Sequence, residues 1–138
     1  FVKKLIAFRK AHTAFHRPEF YTGKQGRYNK MPDISWYNAE GLEQDWSGLE
    51  NCLAMRIDGT RADAVQDIDD NDFYIIWNSE SVSVPVRICV APTGKNWYRV
   101  LDTGRLPPDD FYPDGRERMH PHCPYVASAV SVVVFIAK

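Results

Sequence analysis

The spacing of apolar residues changes once along this chain, from the period of a helix to the period of a strand. In the first segment, apolar side chains lie three, four and seven positions apart, at Phe1, Leu5, Phe8 and Phe15. This spacing predicts one amphipathic α-helix. Pro18 disfavours helical backbone at the residue before it, so we expect the helix to end near His16. After Pro18, the sequence shows no second segment with this helical spacing.

Downstream, the pattern predicts short strands separated by turn residues. The candidate strands are residues 34–37, 52–57, 73–78, 82–90, 97–101 and 130–136. Both sets of alternating positions are largely apolar in 73–78, which indicates a strand covered on two sides. Pro85 places 82–90 at a sheet edge or bulge. Parallel pairing would need crossover helices, so the sequence predicts a mainly β fold, an antiparallel β-sandwich preceded by one amphipathic α-helix.

Charge and composition exclude several classes of partner. Seventeen basic and eighteen acidic side chains leave a formal charge of -1, which gives no field to attract nucleic acid or an anionic membrane. The longest apolar run, 132–137, is far shorter than a membrane span. Lys3 and Lys4 interrupt the apolar opening, unlike a secretory signal. We therefore expect neither a nucleic-acid nor a membrane partner, and a start at Phe1 suggests a piece of a longer protein.

The three cysteines favour a reducing compartment. They are odd in number and widely spaced, at Cys52, Cys89 and Cys123. A disulfide framework would normally use an even set, so we predict reduced thiols in a cytoplasmic protein.

Two segments offer metal ligands but depart from the known patterns. The run from Asp67 to Asp72 begins like a calcium loop, but Asp72 stands where glycine is needed and Asn78 where a bidentate glutamate closes the shell. A solvated loop is the better interpretation. Residues 120–123 place His120, His122 and Cys123 close together, but a structural zinc usually takes two separated pairs of ligands. A proline-rich loop is favoured there, and we predict no cofactor.

No catalytic signature is present. The carboxylates available for glycosidic chemistry stand outside any recognised motif, at Asp45, Asp102, Asp109 and Asp110. The chain has no G-x-S-x-G elbow, no H-E-x-x-H and no glycine-rich phosphate loop. We therefore predict no catalytic residues.

Tryptophans give the sequence its candidate ligand contacts. Trp77 lies in an apolar strand and is expected to be buried. Trp36, Trp46 and Trp97 border turn residues, so they either pack in the core or stack on sugar rings. A flat glycan platform would require exposed, coplanar rings.

Several short pieces of the chain occur in an order that resembles a known family. They are residues 5–12 (LIAFRKAH), 20–23 (FYTG), 33–36 (DISW), 45–46 (DW), 53–59 (LAMRIDG), 72–78 (DFYIIWN), 97–103 (WYRVLDT) and 131–134 (SVVV). This order resembles the last barrel helix and the C-terminal β-domain of isoamylase-type glycogen and starch debranching enzymes, in the α-amylase superfamily and glycoside hydrolase family 13. Residues 106–124 depart from the pattern, as does Trp77, where a small or aliphatic residue is expected.

The resemblance implies a division of the chain and a role for it. Residues 1–17 would be the last helix of an upstream catalytic barrel, and 18–138 the C-terminal β-sandwich. Such a parent hydrolyses α-1,6 branch linkages with an aspartate nucleophile and a glutamate acid/base in the barrel, and neither has a match here. We therefore expect a non-catalytic accessory domain that stabilises the barrel, its partner. The alternative is an α-glucan-binding module that uses Trp36, Trp46 or Trp97, and the isolated chain is expected to self-associate through its leading helix.

Overall fold

The computed structural model describes residues 1–25, 31–48, 50–59, 70–121 and 124–138. It begins with helix α1 (Val2–Ala11) and a 3-10 helix (Thr13–Phe15). The strands follow as β1 (Ile34–Tyr37), β2 (Cys52–Ile57), β3 (Phe73–Asn78), β4 (Val84–Val86), β5 (Trp97–Asp102), β6 (Arg118–Met119), β7 (Tyr125–Ala127) and β8 (Ser131–Ala137). No helix in the described ranges is long and apolar enough to cross a membrane.

The strands form a large and a small sheet. The large sheet has the order β1-β2-β3-β8-β5-β6, and β4 pairs with β7 in the small one. Every pair between these strands is antiparallel. The predicted mainly β, antiparallel sandwich with one leading helix is therefore confirmed.

Apolar side chains fill both faces of the large sheet. On one face, Tyr74 and Phe135 pack towards Val86 and Ala127 of the small sheet. On the other, buried residues that include Phe73 and Ile136 pack towards the leading helices. Alternation in β3 sends successive side chains to opposite faces, so the prediction of a strand covered on two sides is confirmed.

Helix α1 ends at Ala11, earlier than the expected end near His16. The backbone of His12 is extended, with φ -117° and ψ 111°. Its ring Nδ1 lies 2.8 Å from Oδ1 of Asp70, a residue 58 positions away. Asp70 also accepts a hydrogen bond from the backbone N–H of Ala14 at 3.0 Å, within the 3-10 helix. A contact between distant residues therefore holds the chain where the helix stops.

Several strand predictions differ from the structure. The predicted strand 82–90 is reduced to β4, and both Val82 and Val90 are exposed. Pro85 lies in β4, which pairs on one side only, as expected for a proline at an edge. Strands β6 and β7 lack an alternating apolar pattern long enough to predict them. Trp77 is half-buried instead of fully buried, and it stacks on Trp36 of the edge strand β1.

Candidate functional site

A tight turn brings two tryptophans together at the edge of the large sheet. After β1, the backbone N–H of Asn38 donates to the carbonyl of Leu42 at 2.9 Å, and Asn38 Oδ1 accepts from the Leu42 N–H at 2.9 Å. Gly41 supplies the positive φ, +77°, that the turn requires. The returning chain then pairs with β1, since the N–H of Gln44 donates to the carbonyl of Trp36 at 3.0 Å. Trp46 is thereby placed beside Trp36.

Three rings meet there, and we call Trp36, Trp46 and Trp77 the tryptophan corner. The ring centroids of Trp36 and Trp46 lie 5.7 Å apart with an interplanar angle of 74°. Trp36 stacks on Trp77 at 6.4 Å and 30°. Trp46 is 64% exposed, whereas Trp36 and Trp77 are half-buried. The two rings predicted to contact a sugar do come together, but they are angled and do not form a flat platform.

Trp97, the third predicted contact, belongs to the core. It is 4% exposed, packs on Tyr74 with 5.8 Å between ring centroids, and donates its Nε1–H to the carbonyl of Cys89 at 2.8 Å. Trp97 borders a cleft of about 370 Å³ with Ile88 and His120, but little of its ring is exposed there, and it lies apart from the other two predicted contacts. Its place next to turn residues in the sequence did not reveal that the small sheet covers it.

A cleft of about 340 Å³ opens beside the corner, along the outer edge of β1. Its lining includes Trp36, Trp46, Glu43 and Gln44. Gln44 is 8% exposed, and its Nε2 donates to the carbonyl of Asp45 at 2.8 Å. Its Oε1 is buried and has no hydrogen-bond partner within the described ranges. The sequence did not identify Gln44, because no local sequence pattern shows that a side-chain amide will lack a hydrogen-bond partner.

The acidic candidates for catalysis have structural partners. Asp102 is fully buried and accepts hydrogen bonds from the Tyr125 hydroxyl, from Arg105 Nε at 3.3 Å and from the Gly104 N–H at 2.9 Å. Burial, together with this hydrogen bond to Asp102, raises the pKa of Tyr125 to about 12. Asp109 accepts from the Tyr112 hydroxyl, which lowers the pKa of that carboxyl.

The two remaining acidic candidates also make local contacts. Asp45 caps its own turn, accepting from the Ser47 N–H at 2.9 Å, and the hydrogen bonds from Ser47 lower its pKa. Asp110 is buried, and its carbonyl accepts from the Asp102 N–H at 2.9 Å. The side-chain contact assigns Asp45 to its turn, whereas the Asp110 carboxylate has a buried Oδ1 with no hydrogen-bond partner among the described residues.

The residues considered as metal ligands are only partly described. Asp67, His122 and Cys123 lie outside the described residues. Where the calcium-like run is described, Asp70 bonds His12 and Asp72 forms a buried ion pair with Arg56 at 2.6 Å. Within the described ranges, no three His, Cys, Asp or Glu side chains are grouped in a way that could hold a metal ion.

The outer side of α1 is a second candidate surface. Phe8 points towards the sheet, with 5.9 Å between its ring centroid and those of Phe73 and Phe111. Val2 and Ile6 face away from it and are 66% and 52% exposed. A cleft of about 400 Å³, with a largely apolar lining, separates α1 from the segment that contains Phe111. No residue of α1 is fully buried.

Comparison with known proteins gives the chain its family. Residues 33–122, which hold β1 to β6 and the tryptophan corner, match the family described as "Isoamylase, C-terminal". The chain belongs to the isoamylase C-terminal family. An isoamylase of Flavobacterium sp. is 37% identical over 108 residues, which are 75% of this chain and 13% of that protein. An isoamylase of Pseudomonas amyloderamosa is 35% identical over 107 residues, 75% of this chain and 12% of that protein.

Two features of this isoamylase C-terminal chain follow from the match. It spans about an eighth of the length of the curated relatives it matches. Helix α1 precedes the matched segment, while Trp36, Gln44 and Trp46 lie inside it. The resemblance inferred from the ordered sequence pieces is thus confirmed.

Proposed function

We propose that this chain is the non-catalytic C-terminal domain of an isoamylase-type debranching enzyme, and that it stabilises the catalytic barrel of that enzyme. The parent is proposed to hydrolyse α-1,6 branch linkages in glycogen or starch. Family membership supports the assignment to such a parent. The uncovered apolar side of α1 is the observation that carries the stabilising role.

Helix α1 has apolar side chains on two sides. Phe8 packs on the sheet, while Val2, Leu5 and Ile6 are exposed. A helix on the surface of a globular domain normally directs its apolar stripe to one core and its polar residues to water. Apolar residues on both sides instead suit a helix that lies between two packed bodies. The sheet is one of these bodies, and we propose that the barrel is the other.

The lengths of the relatives support the barrel as the proposed occupant of the outer side of α1. Their matched segments account for 13% and 12% of their lengths, so most of each isoamylase lies outside the part that this chain resembles. The family match starts at residue 33, after α1. Both observations support our proposal that residues 1–17 belong to the barrel and 18–138 to the C-terminal domain.

We propose that the parent is cytoplasmic and takes part in glycogen breakdown, and the thiols support the cytoplasmic location. Cys52 and Cys89 are both free. Burial raises the pKa of Cys52 and raises that of Cys89 to about 11, so both thiols stay protonated and unreactive at neutral pH. Free cysteines of this kind are usual in reducing compartments.

Substitution of the outer side of α1 in the full-length parent tests the stabilising role. Ile6→Lys places a charge on the proposed barrel contact, so we expect a lower melting temperature and a shorter half-life of debranching activity. Val90→Lys is the matched control, since Val90 is an exposed valine in the loop after β4. Equal stability of the Ile6→Lys and Val90→Lys enzymes would overturn the stabilising role.

The parent's activity needs its own assay. We expect the full-length enzyme to release linear chains from α-1,6-branched glucan, and the 138-residue chain alone to release none. An upstream sequence without an eight-stranded barrel pattern, or a parent inactive on branched glucan, would refute the assignment.

A further inference from the structure

We propose that the tryptophan corner and the adjoining cleft form a binding subsite for a linear α-1,4-linked glucose oligomer. The choice of an α-glucan rests on the proposed function. The geometry of the site itself points to a neutral sugar chain, and the argument has four parts.

The first part is the exposed ring of Trp46. Indole is a large apolar surface, and folding normally buries it. Trp46 remains 64% exposed although its neighbour Trp36 is held in the sheet. Its position is set by the turn at Gly41 and by the pairing of Gln44 with Trp36, so the ring is presented by an ordered hairpin. The C–H face of a pyranose ring is a suitable partner for such an aromatic face.

The second part is the polar wall of the cleft. Gln44 Oε1 is buried without a donor within the described ranges, and a buried acceptor left unpaired is destabilising. Because this oxygen is closed to solvent, the proposal includes a rotation of the Gln44 side chain towards the cleft, where a sugar hydroxyl can donate to it. The described residues that line the cleft include one carboxylate, Glu43, and no basic side chain. This lining suits a neutral polyol better than a phosphate or another anion.

The third part is the angle between the rings. Trp36 and Trp46 are inclined at 74°. A β-1,4-linked chain is a flat ribbon and would need rings in one plane. An α-1,4-linked chain curves, so that successive pyranose rings turn relative to each other. The angled corner therefore favours the α-linked polymer over the β-linked one.

The fourth part is the position of the corner relative to α1. Helix α1 contacts β3 at Phe73, whereas Trp36 lies on edge strand β1, two strands or about 10 Å away. Trp77 is four residues, about 13 Å, along β3 from Phe73. The strand register places Trp36 and Trp77 on the same face of the sheet as Phe73, the face that α1 covers. A glucan bound at the corner would therefore lie on the same side of the domain as the proposed barrel.

The test is a titration of the chain with maltoheptaose and, separately, with cellohexaose, followed by tryptophan fluorescence and calorimetry. We expect maltoheptaose to bind with a dissociation constant on the order of 1 mM, and cellohexaose to bind at least about tenfold more weakly. Trp46→Ala should raise the constant for maltoheptaose about tenfold or more. Phe20→Ala is the matched control, because Phe20 is an aromatic residue 92% exposed elsewhere on the chain, and it should leave the constant unchanged.

Gln44→Met removes the unpaired acceptor with little change of shape, and it should weaken binding about threefold to tenfold. Circular dichroism must show the wild-type fold for both variants. Unchanged binding by Trp46→Ala, or equal binding of the two oligosaccharides, would overturn the subsite. Unchanged binding by Gln44→Met would overturn the role given to Gln44.

The full-length enzyme separates this proposal from the proposed function. Native electrophoresis through glycogen should show less retardation for Trp46→Ala, with unchanged turnover of a short branched oligosaccharide. Retardation equal to that of the wild type, as expected if the barrel covers the corner, would reject the subsite while leaving the stabilising role intact. Failure of the Ile6→Lys experiment would reject the stabilising role without touching the binding result.

Discussion

Among single residues, the buried carboxylate of Asp102 is expected to contribute most to the stability of the fold. Asp102 at the end of β5 is fully buried and receives hydrogen bonds from Tyr125, Arg105 and Gly104. Arg99 Nη1 lies 3.5 Å from the same carboxylate and is itself buried. The carboxylate thus joins β5 to the turn that follows and to β7.

Removing this carboxylate should be costly. Asp102→Ala leaves Arg99 buried without its acid, so we expect the free energy of unfolding to fall by about 3–5 kcal/mol in urea denaturation. Asp114→Ala is the control, because Asp114 forms an ion pair with Lys138 through an exposed side chain and should cost less than about 1 kcal/mol. Similar losses for the two variants would show that Asp102 is not a structural centre.

Asp70 should make stability depend on pH. Burial alone would raise its pKa, but hydrogen bonds from His12, Ala14 and Asn71 hold the pKa below its usual value. A carboxyl whose pKa is lowered in the folded state stabilises the protein fully above its unfolded pKa of about 3.9. This stabilisation is lost as the pH falls through the folded pKa. Asp70→Asn should therefore cost about 1–2 kcal/mol near neutral pH, and progressively less as the pH falls through the folded pKa of Asp70.

Denaturation of both proteins at several pH values measures this effect. The difference in the free energy of unfolding between wild type and Asp70→Asn should shrink as the solution is acidified below about pH 4. A difference that stays constant between pH 7 and pH 2 would contradict the prediction.

Turns between elements decide how the candidate site is assembled. Gly41 and Gly94 have nearly the same backbone angle, φ +77° and +76°. A Cβ at Gly41 would lie 2.8 Å from the carbonyl oxygen of Arg87, whereas a Cβ at Gly94 meets nothing within 4 Å. Comparing alanine substitutions at these two glycines therefore separates the strain of a positive φ from the effect of close packing.

Alanine at the two glycines should therefore have unequal effects. Gly94→Ala should cost about 1–2 kcal/mol, since it adds only left-handed strain. Gly41→Ala should cost more, because the turn must also move away from Arg87, and this movement should change the fluorescence of Trp46. Thermal unfolding compares the two, and equal losses would mean that the contact at Arg87 gives way freely.

At the scale of the whole molecule, the leading segment of the chain exposes large apolar side chains. Val2, Ile6 and Phe20 are all exposed within the first twenty residues. We expect the isolated chain to self-associate through α1, because association buries the side of the helix that the barrel would otherwise cover. Sedimentation velocity at increasing concentration should show a rising average sedimentation coefficient.

Charge on the helix should reverse this association. The double variant Val2→Lys, Ile6→Lys should sediment as a monomer at all concentrations and keep the wild-type circular dichroism. A wild-type chain that is monodisperse and thermally robust at high concentration would argue against an unpartnered helix.

Much of the architecture follows from local pattern. Alternating positions predicted β3 with its observed ends, because alternation reports directly which side chains lie on each face of a strand. The same pattern failed for 82–90, where the small sheet pairs only three residues. The number of residues in a strand depends on the length of its partner, and β7 is short.

The fold class, the helix and the family were determined by the sequence itself, since period, turn residues and ordered motifs are local properties. Tertiary structure alone decided three things: where α1 ends, that Trp97 is enclosed while Trp46 is exposed, and that Gln44 Oε1 meets no donor in the part of the chain that the structure describes. Each depends on what distant segments cover or contact. Four tryptophans look alike in the sequence, and packing between sheets gave them different environments.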